Sequence, residues 1–215
     1  MDKKLGTLEY IVSRYSLDLN QNLPIEIPNI GRDTLPLWFK DLGFKVGVEI
    51  GVESGVYSEI LCRLNPGVKL FCIDPWQTYK GYREYVKQDT INSFFEIAKK
   101  RLANYDVTLV KALSADAVKQ FEDNSLDFVY IDGNHTYPYV LQDIELWTKK
   151  VRPGGIIAGH DYIKRAPPST HDVIGAVKDF TRSNNVNPWF LLGIQAKNPG
   201  EIRDQCRSWF WVKET

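Results

Sequence analysis

Val46-Gly47-Val48-Glu49-Ile50-Gly51-Val52-Glu53-Ser54-Gly55 is the stretch on which the fold turns. A short apolar run ends in two glycines and leads into helical spacing over 57–64, which reads as strand, glycine turn, helix. The same alternation continues downstream. Strands are predicted over 69–73, 107–111, 128–131 and 156–158, with helices over 90–103, 115–121, 137–150 and 173–182 between and after them. Two late strands are predicted over 189–192 and 208–212. Strands alternating with helices at this pace predict a doubly wound α/β domain: a mostly parallel seven-stranded sheet, helices on both faces and an antiparallel C-terminal strand.

Upstream, Leu8, Ile11, Val12 and Tyr15 recur at helical spacing within 5–15, and residues 23–28 read as an extended connection punctuated by Pro24 and Pro28. Asp33-Thr34-Leu35-Pro36 offers a helix start, and Gly43 ends that helix. The organisation expected is a helical N-terminal extension over 1–32 and one domain over 33–215. Residues 77–89, aromatic and charged without clean periodicity, read as a loop inserted near the carboxyl edge of the sheet.

Composition narrows the function classes. The 215 residues hold 27 Lys plus Arg and 27 Asp plus Glu, a formal net charge of zero without a basic stripe, so nothing recruits nucleic acid. The polar start, Met1-Asp2-Lys3-Lys4, and the lack of a long apolar run argue against a membrane partner and for a cytoplasmic protein. Cys62, Cys72 and Cys206 form no metal-type or redox-type pair and read as reduced thiols.

In an open α/β sheet, ligands settle beyond the carboxyl ends of the strands. Gly51 and Gly55 allow a ligand to approach the first turn closely. Glu49 and Glu53 would repel a pyrophosphate at the following helix start, so a cationic cofactor without phosphate is favoured. Asp74 closes the second strand, where a carboxylate can accept hydrogen bonds from both ribose hydroxyls.

These residues resemble a known family. Residues 48–55 look like the first motif of class I S-adenosylmethionine-dependent methyltransferases, whose sheet is Rossmann-like, and Cys72-Ile73-Asp74-Pro75-Trp76 looks like their ribose-binding second motif. The run 128–137, then Leu146-Trp147, 151–162 and 173–180, is similar to the macrocin-type subfamily of small-molecule O-methyltransferases. The resemblance implies that Glu49, Gly51, Glu53, Ser54 and Gly55 hold the amino-acid end of the cofactor. It further implies that Asp74 holds the ribose, and Ser114, with Asp116, the adenine. Trp76 either shields the adenine or fills core, and Asp132 lies at the cofactor's reactive end.

For chemistry, Asp132 and His135 are the catalytic candidates, with His135 as general base toward an acceptor hydroxyl or as an anchor of its own loop. Relatives that use a divalent metal such as Mg²⁺ place acids at these strand ends. By that resemblance Asp132, His160 and Asp161 are the metal candidates, although His160 stands where an acid is usual and can equally be a buried hydrogen-bonded residue. His171 reads as a surface residue. The expected partner is a small-molecule or sugar acceptor. Trp76, Tyr79, Tyr82 and Tyr85 form a lid over it, a contact within a homo-oligomer or part of the core, and residues 163–170 are a second candidate lid. A nicotinamide-dependent oxidoreductase and a non-catalytic adenosyl-binding domain are the alternatives.

Overall fold

The computed structural model describes residues 5–80, 82, 87–167, 169–196 and 198–214. The polar start at residues 1–4, Tyr85 of the aromatic loop and residue 168 of the proline-rich loop lie outside the described residues. The elements in chain order are α1 (Thr7–Tyr15), β1 (Ile25–Ile27), α2 (Leu35–Leu42), β2 (Val46–Ile50), α3 (Val56–Leu64), β3 (Lys69–Asp74), α4 (Gln88–Leu102) and β4 (Val107–Lys111). They continue as α5 (Ser114–Ala117), β5 (Leu126–Ile131), α6 (Tyr137–Thr148), β6 (Val151–Gly159), α7 (Val173–Ser183), β7 (Phe190–Leu192) and β8 (Trp209–Val212).

The strands form one sheet in the order β1-β7-β8-β6-β5-β2-β3-β4. Strand β8 runs antiparallel to β6 and β7, and every other pair is parallel. The α/β class, the helical coverage and the late antiparallel strand therefore agree with the sequence reading. The sheet has eight strands rather than seven. The added strand is β1, which pairs with β7 in register Ile25 to Phe190. It reads as a connection in the sequence because prolines flank it, and prolines are tolerated at the ends of an edge strand. The helix expected over 115–121 is shorter, with α5 giving way to a 3-10 turn at Val118–Gln120.

Pleating divides the core in two. In β5, Phe128 and Tyr130 point to the face covered by α1, α2 and α3, joining Ile11, Trp38, Phe39 and Leu61. Val129 and Ile131 point to the other face, with Ile144 and Trp147 of α6 and Val177 of α7. Each such side chain contributes about 1.5–3 kcal/mol by leaving water. Strand β2 keeps the same alternation, so Val48 and Ile50 join the second face while Glu49, beside Tyr130 in register, is delivered to the first.

Chain order along the sheet reverses beside β2: β3 and β4 lie on one side of it, and β5 lies on the other. A crevice opens at the carboxyl ends of β2 and β5, as this topology requires. Gly51 makes the close approach there possible. Its φ is +85°, and a Cβ on it would sit 2.1 Å from the Asp132 carbonyl oxygen.

Candidate active site

A cavity of about 550 Å³ occupies this crevice, walled by the 51–54 turn, the end of β3, the start of α5 and the loop after β5. The turn is shaped by Asp74. Its Oδ2 accepts from the backbone N–H groups of Val52 (3.1 Å) and Glu53 (3.0 Å), and its Oδ1 accepts from Trp76 N (2.8 Å). Burial raises the Asp74 carboxyl above its usual range, and those three N–H groups hold it back. A carboxylate has more than three acceptor positions, so capacity remains for a ligand hydroxyl.

Glu49 is buried beneath α3, where the Ser58 hydroxyl donates to its Oε2. Burial pushes its pKa up to about 8; Ser58 opposes the shift, and Asp132 adds to it. Glu53 lies exposed at the rim with a positive φ of 51°. Ser54 also lines the cavity, and its carbonyl accepts from Arg101 at 2.5 Å. Trp76 lines the wall while 1% exposed, its Nε1 donating to Glu53 O at 2.8 Å and its ring 4.8 Å from Phe95. Cavity wall and core are thus the same side chain.

At the far end, Ser114 begins α5 and accepts from Trp147 Nε1 at 2.7 Å. Asp143 of α6 lies beside it, buried, with its pKa pushed up to about 7 by desolvation against the Ser114 hydrogen bond. Asp116 does not reach the cavity: it pairs with Lys119 at 2.7 Å on the exposed side of the same short helix. Tyr79 and Tyr82 stack with ring centroids 5.1 Å apart and line the mouth, and Asn134 Nδ2 donates to the Tyr79 hydroxyl at 3.4 Å.

The polar centre of the cavity gathers Asp132, His135 and Asp161. His135 Nε2 is 3.3 Å from Asp132 Oδ1 and 3.2 Å from Asp161 Oδ2. One ligand atom from each of the three residues falls within 4.8 Å of the others. His160, which the sequence reading grouped with the two acids, sits behind them. Its Nδ1 is 3.7 Å from Asp132 and 3.4 Å from Asp161, and its Nε2 is buried without a partner among the described residues. The geometry follows from the backbone, since His160 precedes Asp161 on the way out of β6 and does not line the cavity. Burial disfavours the Asp161 carboxylate. The His160 hydrogen bond, the His135 charge and Arg165 at 2.7 Å outweigh that and hold the group well below the usual carboxylate range.

Among the described residues, Arg32, Tyr57, Asp143 and Arg165 line the cavity though unassigned in the sequence, and His171, which reads as a surface residue there, lines it as well. Arg32 Nη1 is 3.6 Å from Asp132 Oδ2, and its guanidinium lies 4.9 Å from the Tyr57 ring centre. His171 is drawn in by pairing of Thr136 with His171, which leaves its ring 5.2 Å from that of His135.

A family described as methyltransferase domain matches residues 48–162, more than half of the chain. The chain belongs to that family. This methyltransferase domain is 28% identical over 140 residues to the uncharacterized protein R132 of Acanthamoeba polyphaga mimivirus; the match covers 62% of the chain and 60% of the viral protein's length. In fold it is similar to an O-methyltransferase from Bacillus cereus, solved in complex with SAH, with a TM-score of 0.59, 18% identity and coverage of 99% and 93% of the two chains. It is also similar to the O-methyltransferase TomG from Streptomyces achromogenes, involved in tomaymycin synthesis and solved with SAM. There the TM-score is 0.58, with 18% identity and coverage of 98% and 91%. No helix among the described residues is long and apolar enough to cross a membrane.

Proposed function

We propose that the chain transfers a methyl group from S-adenosylmethionine to a hydroxyl of a small molecule or sugar. The observation that carries this reading is the convergence of the 51–54 turn, Asp74 and Asp132 on one crevice at the point where strand order reverses, with Gly55 packed behind the turn against Leu102. Acids dominate its polar lining, which suits a cofactor bearing an ammonium and a sulfonium and no phosphate. Ser114 and Asp143 stand where the adenine would lie, with Asp74 at the ribose.

In the transfer, the acceptor oxygen forms a bond to the methyl carbon as the carbon–sulfur bond breaks, and the hydroxyl proton leaves to the imidazole of His135. The carboxylates of Asp132 and Asp161 flank its Nε2 and stabilise the imidazolium as it forms. The methyl group is activated by its sulfonium, so alignment and exclusion of water supply most of the remaining acceleration. Tyr79 and Tyr82 at the mouth support the lid role.

The 4.8 Å grouping of Asp132, His135 and Asp161 favours a second reading of the same centre. Two carboxylates and an imidazole are a fitting donor set for a divalent cation such as Mg²⁺ or Mn²⁺. Bound there, a cation would hold and acidify the acceptor hydroxyl, and His135 would then be a ligand rather than the base.

Calorimetric titration with S-adenosylmethionine and S-adenosylhomocysteine tests the central claim. Binding of both, with no uptake of NADH, is expected. Uptake of NADH alone would transfer the chain to the oxidoreductase reading, and cofactor binding without turnover on any hydroxyl acceptor would favour a non-catalytic adenosyl-binding domain. Turnover that survives exhaustive chelation assigns His135 as base, whereas turnover restored only by added Mg²⁺ or Mn²⁺ assigns the metal centre.

A further inference from the structure

We infer that Arg32 is the anchor for the carboxylate of the cofactor's methionine moiety, and that Arg32 and Asp132 together read its zwitterion. The inference rests on the S-adenosylmethionine reading above and extends it to a residue outside the matched segment of the chain.

The argument starts from charge. Glu53, Asp74, Asp132 and Asp161 line the cavity as acids, beside Glu49 and Asp143, whose burial favours the protonated form. That set accommodates an ammonium and a sulfonium but repels a carboxylate, and the methionine moiety carries one. Among the described lining residues the arginines are Arg32 and Arg165. Arg165 is drawn to Asp161 at 2.7 Å. Arg32 faces Asp132 instead, and lies near enough to Glu49 for its charge to act on both acids.

Geometry makes Arg32 a built feature. Its backbone N–H donates to Asp204 Oδ2 at 2.5 Å, and its carbonyl accepts from the Tyr57 hydroxyl at 2.9 Å. The guanidinium lies over the Tyr57 ring, so the side chain is braced at both ends. The 3.6 Å separation from Asp132 is too long for a good hydrogen bond. A guanidinium has five donors in a planar fork suited to a carboxylate, and Asp132 keeps acceptor capacity for an ammonium. An α-amino acid presents those two groups on one carbon, matching an arginine and an aspartate that already face each other.

The test compares S-adenosylhomocysteine with its decarboxylated analogue by calorimetry, on the wild type and on Arg32→Gln and Arg32→Lys. Wild type is expected to prefer the carboxylate-bearing ligand by about tenfold or more, the scale of a charge-assisted hydrogen bond. In Arg32→Gln that ligand should weaken by about 10- to 100-fold while the decarboxylated one changes by less than about threefold, so the preference disappears. Arg32→Lys, with its charge kept and its fork lost, should fall between. Equal weakening of both ligands in a folded Arg32→Gln protein would overturn the inference and make Arg32 a support for Asp132. Equal binding of the two ligands by wild type would overturn it without any mutation. If wild type binds neither ligand, the S-adenosylmethionine reading fails with it, an outcome distinct from loss of the preference alone.

Discussion

Asp74→Ala removes the acceptor of three backbone N–H groups in one step: those of Val52, Glu53 and Trp76. Hydrogen bonds to a charged group contribute about 1.5–3 kcal/mol each. Burial, which raises the Asp74 carboxyl, offsets part of that total, leaving an expected net cost of about 2–4 kcal/mol. In a domain of this length each kcal/mol moves Tm by about 2–4 °C, so melting should fall by roughly 5–15 °C, read by calorimetry or circular dichroism. Cofactor binding should suffer separately, because both the ribose acceptor and the shape of the turn are lost. S-adenosylhomocysteine affinity is expected to drop about tenfold or more, at least ~1.4 kcal/mol, by titration at a temperature where the variant is folded. Asp74→Asn retains one oxygen for either the turn or Trp76, but sets an amide N–H₂ against the remaining donors, and should lie between. A folded Asp74→Ala protein that binds S-adenosylhomocysteine as wild type does would refute the ribose assignment. Unchanged melting as well would refute the account of the turn.

Under the base reading, His135→Ala is expected to lower single-turnover methyl transfer by about 10²- to 10⁴-fold while S-adenosylhomocysteine affinity stays within about twofold; intact transfer would remove His135 from the chemistry. Glu49 carries a pH signature. Its pKa rises on folding from an ordinary 4.5 to about 8, so the folded state holds the proton more tightly; the associated stability is full below pH 4.5 and is lost as pH climbs toward 8. Melting curves of Glu49→Gln should therefore lack part of the wild-type decline across that window, and parallel wild-type and variant curves would contradict a buried, proton-holding Glu49. For Gly51→Ala, whose Cβ would fall 2.1 Å from the Asp132 carbonyl oxygen at a φ of +85°, a loss of about 3 kcal/mol or more is expected on denaturant unfolding. A wild-type midpoint would mean that the two strand ends are not held so close.

The parts of the site that could be read in advance are those encoded locally. Glycines after a hydrophobic strand, acids at strand ends and the helix that follows are each set within about ten residues, and period-two and helical patterns report them directly. Glu49 and Asp74 emerged in this way, and Asp132 and Asp161 gained their roles through the family resemblance. What was missed arrives from a distance. Arg32 lies in a 3-10 turn without a periodic signature and gains meaning only through Tyr57 and Asp132. Asp143 reads as one polar position on an amphipathic helix, and nothing local says that it points at Ser114. His171 is drawn inward by a bridge to Thr136, a contact invisible to pattern. The strand β1 escaped for a related reason: three residues between prolines carry too little alternation to declare a pairing with residues 190–192.

That pairing belongs to a wider seam. Asn29 N donates to Glu201 across 172 positions, Arg32 N reaches Asp204 across the same span, and Glu26 pairs with Arg207. The turn that aims Arg32 is therefore set by sequence-remote partners, and loop-closure entropy makes such contacts slow to form. Glycine bend and ribose acid can assemble early from neighbouring segments, whereas the arginine-bearing corner waits for the whole sheet. Ligand capture thus becomes a late reporter of maturation: in a refolding time course, retention of S-adenosylhomocysteine should lag behind recovery of helical signal, and half-assembled species would be silent in the assay.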